Sequence, residues 1–360
     1  MDREILLPMP KSYTSVQALR AVAALSVVAF HVSENIARSS GEVFLGGVFR
    51  KGFLGVDLFF VVSGFIIAHS SGWYAGRREK WGSYLSRRFF RIFPLYWTTL
   101  MPLLGFLLLI PHSRLVSHLP ELNWKTILAT VFLLPGHNEI NAVSWTLSFE
   151  WYFYLLFGLV IISRKAGWVL AGLALAALAN GLALWFQGID SGRGLVRFFF
   201  LSPLNLEFAI GTGVAWLTTD RRFSAPWLPV AAGVLIIVIF CPEKPWDLNR
   251  VWSLGPGAGL ILLGITQAEQ QKRLRIPGWL GRLGDASYPL YLLHFPIIIF
   301  CNKVMVILGQ QSVSMRGTMD FVLTAGMCWL SIRIHRHIEA PLMKRVRHRM
   351  SPGPVKEKTP

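Results

Sequence analysis

Charged residues and cysteines are both scarce in this sequence. Only 15% of the 360 residues are charged, whereas 53% are hydrophobic and the mean hydropathy is +0.47. A soluble domain carries about 25% charged residues, so the shortage excludes a large soluble domain and indicates a polytopic membrane protein. The three cysteines, Cys241, Cys301 and Cys328, are widely spaced and fit neither a disulfide framework nor a zinc motif. We therefore expect no structural metal.

Acidic residues are scarce too, since 19 Asp and Glu stand against 36 Lys and Arg, a net charge of +17. In a soluble protein this excess suggests nucleic-acid binding, but here the basic residues follow a membrane topology. With a cytoplasmic N-terminus, the inner segments hold 22 Lys and Arg and the outer loops hold 10, which places both termini in the cytoplasm. The short run 126–135 is predicted to be interfacial or re-entrant. The predicted spans are 14–34, 53–71, 89–110, 144–163, 167–187, 197–217, 226–241, 251–267, 287–308 and 317–335.

The predicted fold is therefore an all-α membrane bundle of about ten transmembrane helices. Residues 1–13 form a cytoplasmic segment, and residues 14–341 form the membrane domain. Residues 342–360 form a basic, Pro-containing cytoplasmic tail that we expect to be disordered and to lie along anionic lipid.

The first span carries an arginine near one end and a histidine near the other. Arg20 and His31 are eleven residues apart, so on a helix they share nearly the same face, about 16 Å apart in depth. An arginine at the centre of a span costs about 2.5 to 3.5 kcal/mol on insertion scales, which favours a functional role. A snorkelling arginine and an interfacial histidine are the structural alternative. In the predicted orientation Arg20 lies toward the cytoplasm and His31 toward the outer face.

Two carboxylates are predicted near the depth of His31. Asp57 lies early in the second span, and Glu150 lies near the outer end of the fourth. A carboxylate beside a histidine orients the ring and raises its basicity, as in hydrolytic triads. The alternatives are a helix cap for Asp57 and an ion pair with another helix for Glu150.

Arginines cluster at the inner end of the third span. Arg88 and Arg91 are three residues apart and share a helix face, with Arg87 beside them. The planar guanidinium binds two phosphate oxygens at once, so an anion site is predicted, with ordinary positive-inside charge as the alternative. Glu339, after the last span, is expected to pair with these arginines.

Further polar residues are predicted inside the bundle. Glu207 lies near the middle of the sixth span, where a buried glutamate is functional or ion-paired by default. Tyr288, Tyr291 and His294 recur every three residues in the ninth span, so they form one polar stripe that faces the bundle and contacts substrate or supports the fold. The pattern predicts a passage that binds an anion inside and carries acid and base groups outside.

Six short motifs, each weak alone, occur in a fixed order on these spans. They resemble the membrane acyltransferases of acyltransferase family 3, and within that family the exopolysaccharide-production type of O-acetyltransferase is the most similar. The resemblance covers about Thr14 to Pro341. The motifs are the R-x10-H of Arg20 to His31, GVDLFFVVSGF, RRFFRIFPLYW, SWTLSFEWYFY, SYPLYLLH and IEAP.

The resemblance implies an enzyme of ten membrane helices in a bacterial-type cytoplasmic (inner) membrane. Such an enzyme takes an acyl group, usually acetyl from acetyl-CoA, on the cytoplasmic side and delivers it to a hydroxyl of an exopolysaccharide or other extracytoplasmic glycan. It implies that Arg20 and His31 are the essential pair. The implied partners are membrane lipids, acyl-CoA, a glycan or lipid-linked sugar and, as one option, polysaccharide-export machinery, without nucleic acid.

A mechanism follows as a hypothesis. The pantetheine arm of coenzyme A passes Arg20, and neutral His31, oriented by Asp57 or Glu150, takes the proton of a sugar hydroxyl as it attacks the thioester. Direct transfer is expected because no Ser or Cys is paired with a base, with an acyl-histidine as the alternative. The rival functions are a polysaccharide or lipid-linked sugar transporter or flippase that uses the buried charges as a proton relay, and an export scaffold. In the acyltransferase hypothesis, the phosphates of coenzyme A bind Arg87, Arg88 and Arg91.

Overall fold

The computed structural model describes eleven stretches of the chain. The N-terminal residues 1–12 and the last ten residues, 351–360, lie outside them, so the predicted N-terminal segment and the end of the predicted tail are not part of the description. The described residues are 13–40, 44–109, 123–135, 140–141, 143–189, 194–220, 223–242, 244, 247, 250–307 and 313–350.

Within these ranges the chain forms thirteen α-helices and no β-strand. The all-α prediction is therefore confirmed. The helices are α1 (Thr14–Ser40), α2 (Leu54–Ser71), α3 (Trp81–Leu109), α4 (Trp124–Val131), α5 (Trp145–Ile162), α6 (Ala166–Phe186), α7 (Asn205–Asp220), α8 (Trp227–Phe240), α9 (Val251–Gln270), α10 (Gly278–Asp285), α11 (Ser287–Ile307), α12 (Val313–Ile334) and α13 (Ala340–Met350).

Each of the ten predicted spans coincides with a helix in the described part of the chain. By length and apolarity alone, six helical segments of that part are able to cross a membrane, or seven if α10 and α11, bent by 67°, count as one. Helix α8 is shorter, at 14 residues. The structure therefore shows a multi-pass helical membrane protein, while ten spans and cytoplasmic termini stay predictions. The six segments are Thr14–Ala37, Gly47–Tyr74, Trp145–Ile162, Ala166–Phe186, Val196–Thr219 and Val251–Gln270.

Helices α2 and α7 pack against each other at the centre of the bundle. Gly64 of α2 faces the backbone of Phe208, and Gly211 of α7 faces the backbone of Val61, with no room for a side chain at either glycine. Small residues let membrane helices approach closely in this way. The Phe208 ring stacks on Phe60 with ring centres 4.7 Å apart. This contact fixes where α2 presents its polar residues.

Helix α1 lies against α2, α9, α10, α11 and α12 and is held at its first turn. The backbone N–H groups of Thr14 and Ser15 donate to the Glu269 carboxylate of α9, at 2.9 and 2.8 Å. The first N–H groups of a helix have no partner within the helix, so Glu269 acts as its cap from another helix. This cap sets the depth of the residues along α1, including Arg20 and His31.

The helix of the sixth predicted span is interrupted. A π-helical turn at Val196–Phe200 precedes α7, and the side-chain amide of Asn205 donates to the carbonyl oxygens of Phe199 and Phe200, at 2.9 and 3.1 Å. Pro203 lies in the break and has no N–H to continue the helix. Glu207 therefore occupies the first turn of α7.

The chain after α12 is ordered over its first part. A π-helical turn, His335–Glu339, leads into α13, which packs on α3 and buries Val346. The expectation that the whole tail from residue 342 is disordered is thus wrong for residues 342–350. They are ordered because α13 has a neighbouring helix on which to bury an apolar side chain.

Candidate active site

A cavity of about 780 Å³ lies between α1, α2, α3, α5, α11 and α13. Along α2 its lining runs from Val56 to Ser71, and fifteen steps of 1.5 Å give a length of about 22 Å. The hydrocarbon core of a bilayer is about 30 Å thick, so the cavity extends through most of that depth. Its two ends have different chemistry.

One end, which we name the arginine mouth, is lined by Arg87, Arg88 and Arg347. The Arg88 guanidinium donates to the hydroxyl oxygens of Ser70 and Ser71, at 2.8 and 3.1 Å. These hydroxyls are neutral, so they hold Arg88 in place without cancelling its charge. Two of the three arginines of the predicted anion site, Arg87 and Arg88, therefore lie together at this end with Arg347 of α13, whereas Arg91 lies deeper in the cavity.

The middle of the cavity carries charges of both signs. Arg20 and Arg91 line it together with Glu150, and these groups and the nearby Glu339 act on one another electrostatically. Arg91 lies 3.5 Å from the Glu339 carboxylate, which confirms the predicted pairing of Glu339 with an inner arginine. Two guanidinium groups face two carboxylates, so the middle is close to neutral while the mouth is positive.

Glu150 belongs to this middle region. Its carboxylate accepts a hydrogen bond from the Ser63 hydroxyl at 3.3 Å and a short one from the Tyr154 hydroxyl. Arg88 stacks on the other side, with its guanidinium 5.1 Å from the centre of the Tyr154 ring. Tyr154 thus connects the mouth to the middle, and Glu150 is held inside the cavity toward Arg20.

Glu339 lies outside the membrane-spanning helices and is nearly fully buried. Burial disfavours its charged form, but a 2.8 Å contact with His335 and the charge of Arg91 outweigh burial and hold the pKa of Glu339 below its usual value. Glu339 therefore stays ionised. From its position just before α13 it pairs with Arg91 of α3.

The other end of the cavity, which we name the tyrosine end, is closed by Thr146 and Tyr291. Their hydroxyls lie 2.8 Å apart, and the Tyr291 hydroxyl also donates to the Val143 carbonyl at 3.2 Å. Phe59 packs edge-on to Tyr291 with ring centres 5.7 Å apart. A hydrogen bond and two rings therefore separate the cavity from what lies beyond.

A pair of histidines lies beyond Tyr291. The rings of His31 and His294 are 5.3 Å apart, and neither residue is among the described residues that line the cavity. His294 is fully buried, and its Nδ1 is 2.7 Å from the Tyr291 carbonyl oxygen. A carbonyl only accepts hydrogen bonds, so Nδ1 carries the proton in the neutral ring and Nε2 is the basic nitrogen. That Nε2 has no hydrogen-bond partner among the described residues.

The whole predicted stripe of α11 faces inward. Tyr288, Tyr291 and His294 are all buried, which confirms the prediction. The Tyr288 hydroxyl donates to the Ile92 carbonyl of α3 at 2.7 Å, so Tyr288 fixes α11 against α3 and also lines the cavity. The stripe therefore runs from the cavity to the histidine pair.

The carboxylate nearest to His31 is not one of the two expected. The described contacts bring His31 Nδ1 to Glu34, one turn later in α1, at 3.7 Å. His31 is 21% exposed and Glu34 is 35% exposed, so this end is open. Glu150 faces the cavity instead, and Asp57 faces a third group of residues.

Asp57 lies in a buried cluster with Glu207 and Arg250. Its Oδ1 is 3.0 Å from the Arg250 Nε, and Glu207 interacts with the same carboxyl group. Asp57 and Glu207 are fully buried, and Arg250 is 5% exposed. The cluster joins the first turns of α2 and α7 to the residue before α9. The expected orientation of His31 by Asp57 therefore has no support in the geometry, because Arg250 occupies the Asp57 carboxylate.

Sequence reasoning missed three residues of these clusters. Glu34 has a local signal, because it follows His31 by three residues on one helix. Arg250 and Arg347 have no such local signal. Arg250 lies at the end of an apparent loop, and Arg347 lies in an apparent tail. Among the described residues, no three of His, Cys, Asp or Glu are grouped closely enough to hold a metal ion.

Comparisons with known proteins identify the family of the chain. The model of a family described as an acyltransferase domain (acyltransferase family 3) matches residues 13–336. The exopolysaccharide production protein ExoZ of Rhizobium meliloti is 30% identical over 328 residues, 84% of this chain and 93% of the relative. The acyltransferase MdmB of Streptomyces mycarofaciens is 28% identical over 96% of both chains.

A longer relative is also similar. The O-acetyltransferase OatA of Staphylococcus aureus is 25% identical over 93% of this chain, which spans 58% of that relative. No solved structure matches the chain. The family match extends over nearly all of the membrane bundle, including the histidine pair and the cavity lining before α13, and confirms the resemblance deduced from the motifs. The chain therefore belongs to the acyltransferase family 3 of membrane acyltransferases.

Proposed function

We propose that this protein moves an acetyl group from acetyl-CoA, bound on the cytoplasmic side of a bacterial inner membrane, onto a hydroxyl of an exopolysaccharide or another extracytoplasmic glycan. Family membership supports acyl transfer. The name of ExoZ supports an exopolysaccharide as the acceptor. The name of OatA, an O-acetyltransferase, supports acetyl as the transferred group and an oxygen as the atom that receives it. The bias of Lys and Arg toward the segments that include α13 supports a cytoplasmic arginine mouth.

The distribution of charge along the cavity carries the proposal. Coenzyme A has a polyanionic nucleotide end and an uncharged pantetheine arm. The positive mouth of Arg87, Arg88 and Arg347 suits the phosphates, since guanidinium groups bind phosphate oxygens in pairs. The balanced middle around Arg20 and Glu150 suits the uncharged arm, because it offers polar contacts without excess charge. The thioester is then directed toward Tyr291.

The histidine pair supplies the base for transfer. The acceptor hydroxyl oxygen attacks the thioester carbonyl, so a C–O bond forms and the C–S bond breaks. The hydroxyl proton goes to His31 and finally to the departing thiolate, which leaves no net charge. Glu34 stabilises the protonated ring of His31, and the basic Nε2 of His294 accepts a hydrogen bond from the incoming hydroxyl or from His31. No covalent acyl-enzyme is needed.

Arg20, Glu150 and Asp57 then have separate roles. Arg20 lies in the wall along which the pantetheine arm passes, and Glu150 holds it there by charge. Asp57 acts through the fold, because its partner Arg250 ties α2 to α9. The reaction has to bring the acyl group past Tyr291, so the Tyr291–Thr146 hydrogen bond opens during each turnover.

The transporter alternative requires a polar route through the buried charges. Among the described residues, none of Asp57, Glu207 and Arg250 lines the cavity, and all three are buried. A proton relay through this cluster would therefore have to run outside the cavity. The acyltransferase proposal uses groups that do line the cavity or flank its end.

The experiment uses purified protein in vesicles with labelled acetyl-CoA outside and an acceptor glycan fraction from a deletion strain. Wild type and His31→Ala are compared with His348→Ala, which removes an exposed histidine of α13. The proposal predicts acetylated glycan with wild type and His348→Ala, and a loss of at least about 100-fold with His31→Ala, the usual size of a lost general base. Matched amounts of folded protein are confirmed by size-exclusion chromatography.

Two results would contradict the proposal. Glycan movement across the membrane without acetyl transfer would support the transporter. Equal acetylation by His31→Ala and wild type would show that His31 is structural.

A further inference from the structure

Helix α13 lies beyond the residues that the family model matches. The match ends at residue 336, whereas α13 comprises Ala340–Met350. Even so, Met343, Arg347 and Met350 line the cavity. Their spacing of four and three residues places them on one face of the helix. The wall of the cavity therefore includes a helix that lies outside the residues matched by the family model.

Two contacts hold α13 at the mouth. Val346 is buried against the bundle, at 7% exposure. Just before the helix, Glu339 pairs with Arg91 of the cavity wall and with His335. The helix is therefore held just before its first residue, by Glu339, and again at Val346. These two contacts set the position of Arg347.

Arg347 faces another cation across the mouth. The charges of Arg347 and Arg88 both act unfavourably on the partly buried Arg87. Like charges held together in a cavity wall repel one another, which costs free energy. A bound polyanion removes this cost. The aromatic ring of Tyr74, 5.6 Å from the Arg87 guanidinium, lines the same mouth. A ligand that carries anionic groups next to a flat ring system matches this arrangement.

We propose that α13 is a donor-binding element and that Arg347 binds the phosphates at the nucleotide end of coenzyme A. The inference rests on the proposed function and adds a residue from outside the family match to the donor site. Lys344, Arg345 and Arg349 point to other faces of α13 and remain exposed without lining the cavity. They interact with solvent or lipid headgroups and do not touch the donor.

The test measures dissociation constants of two probes, coenzyme A and pantetheine, which lacks the nucleotide and all phosphates. Binding is measured by calorimetry on the full-length protein in detergent, without an acceptor. Wild type is compared with Arg347→Ala and with Arg349→Ala, which removes the same charge two residues away on another face. We expect Arg347→Ala to bind coenzyme A about tenfold more weakly, the size of one lost hydrogen bond to a charged group. Pantetheine binding should be unchanged, and Arg349→Ala should behave as wild type.

Three outcomes would overturn the inference alone, and a fourth would overturn the proposed function as well. Unchanged binding of coenzyme A to Arg347→Ala, or equal weakening in Arg349→Ala, would show that Arg347 makes no specific contact. Equal weakening of both probes by Arg347→Ala would show that α13 only shapes the cavity. In these cases tight binding of coenzyme A to wild type would leave the proposed function standing, whereas wild type that does not distinguish coenzyme A from pantetheine would contradict both.

Discussion

The buried cluster of Asp57, Glu207 and Arg250 gives the sharpest test of this structure. One guanidinium stands against two carboxyl groups, with Arg250 Nε 3.0 Å from Asp57 Oδ1. In Asp57→Asn, Arg250 keeps a counter-charge because Glu207 takes over as the ionised partner. In Arg250→Gln, both carboxyl groups lose the cation that the described residues of the cluster supply. The two substitutions are therefore expected to differ strongly although each removes one partner of the same ion pair.

The size of the difference follows from burial. Removing one partner of a buried ion pair costs about 3–5 kcal/mol when it leaves an uncompensated charge. Arg250→Gln is expected to reach that range, since Asp57 and Glu207 are fully buried. Asp57→Asn is expected to cost about 1 kcal/mol, as for the loss of a typical hydrogen bond. At about 2 °C per kcal/mol, the lower end for domains of 150–250 residues, Arg250→Gln lowers Tm by roughly 6–10 °C.

The measurement is thermal unfolding of purified protein in detergent at one scan rate, followed by tryptophan fluorescence. Arg50→Gln serves as the matched control, because Arg50 is exposed and precedes α2 on the same predicted side of the membrane. A surface change of this kind is expected to stay within about 0.5 kcal/mol of wild type. Acetyl transfer is measured in parallel well below the lowest Tm and is normalised to folded protein.

Two results would refute this reasoning. A Tm of Arg250→Gln equal to that of Asp57→Asn would show that Glu207 does not share the cation. Loss of acetyl transfer in Asp57→Asn at an unchanged Tm would place Asp57 in the chemistry beside His31, as expected from the sequence.

Two further predictions concern the tyrosine end of the cavity and the region around Glu339. Thr146→Val removes the 2.8 Å contact that holds Tyr291 and should raise acceptor-independent hydrolysis of acetyl-CoA several-fold, measured as free thiol; no increase would mean that the hydrogen bond is not the barrier. Glu339→Gln removes a carboxylate whose pKa is held below its usual value, so it should lower Tm at pH 7. Because such a group stabilises the fold above its unfolded pKa of about 4.3 and loses this effect as pH falls through its lower folded pKa, the Tm difference should shrink in acid, and a constant difference would contradict the assignment.

The sequence by itself determined the class of the protein and most of its helices. Long apolar runs have one stable form in a bilayer, the helix, because every backbone N–H and C=O needs a partner there. The ten predicted runs accordingly coincide with helices. The polar residues within them stood out because each is costly in lipid, and Arg20, Glu150 and the stripe from Tyr288 to His294 all turn out to face the interior. The order of six motifs was enough to identify the family.

Only the tertiary structure decided which polar groups meet. Depth along a helix is set by a rise of 1.5 Å per residue, but the rotation of each helix and its neighbours depend on packing between distant segments. The sequence predicts similar depths for Asp57 and His31, but in the structure Gly55 packs against Ala23 and Val27, so Asp57 lies level with an earlier part of α1 than His31. The close contact of α2 with α7 also turns Asp57 toward Arg250. Likewise a basic stretch that looks like a loose tail folds as α13, since only the assembled bundle offers it a surface on which to bury Val346.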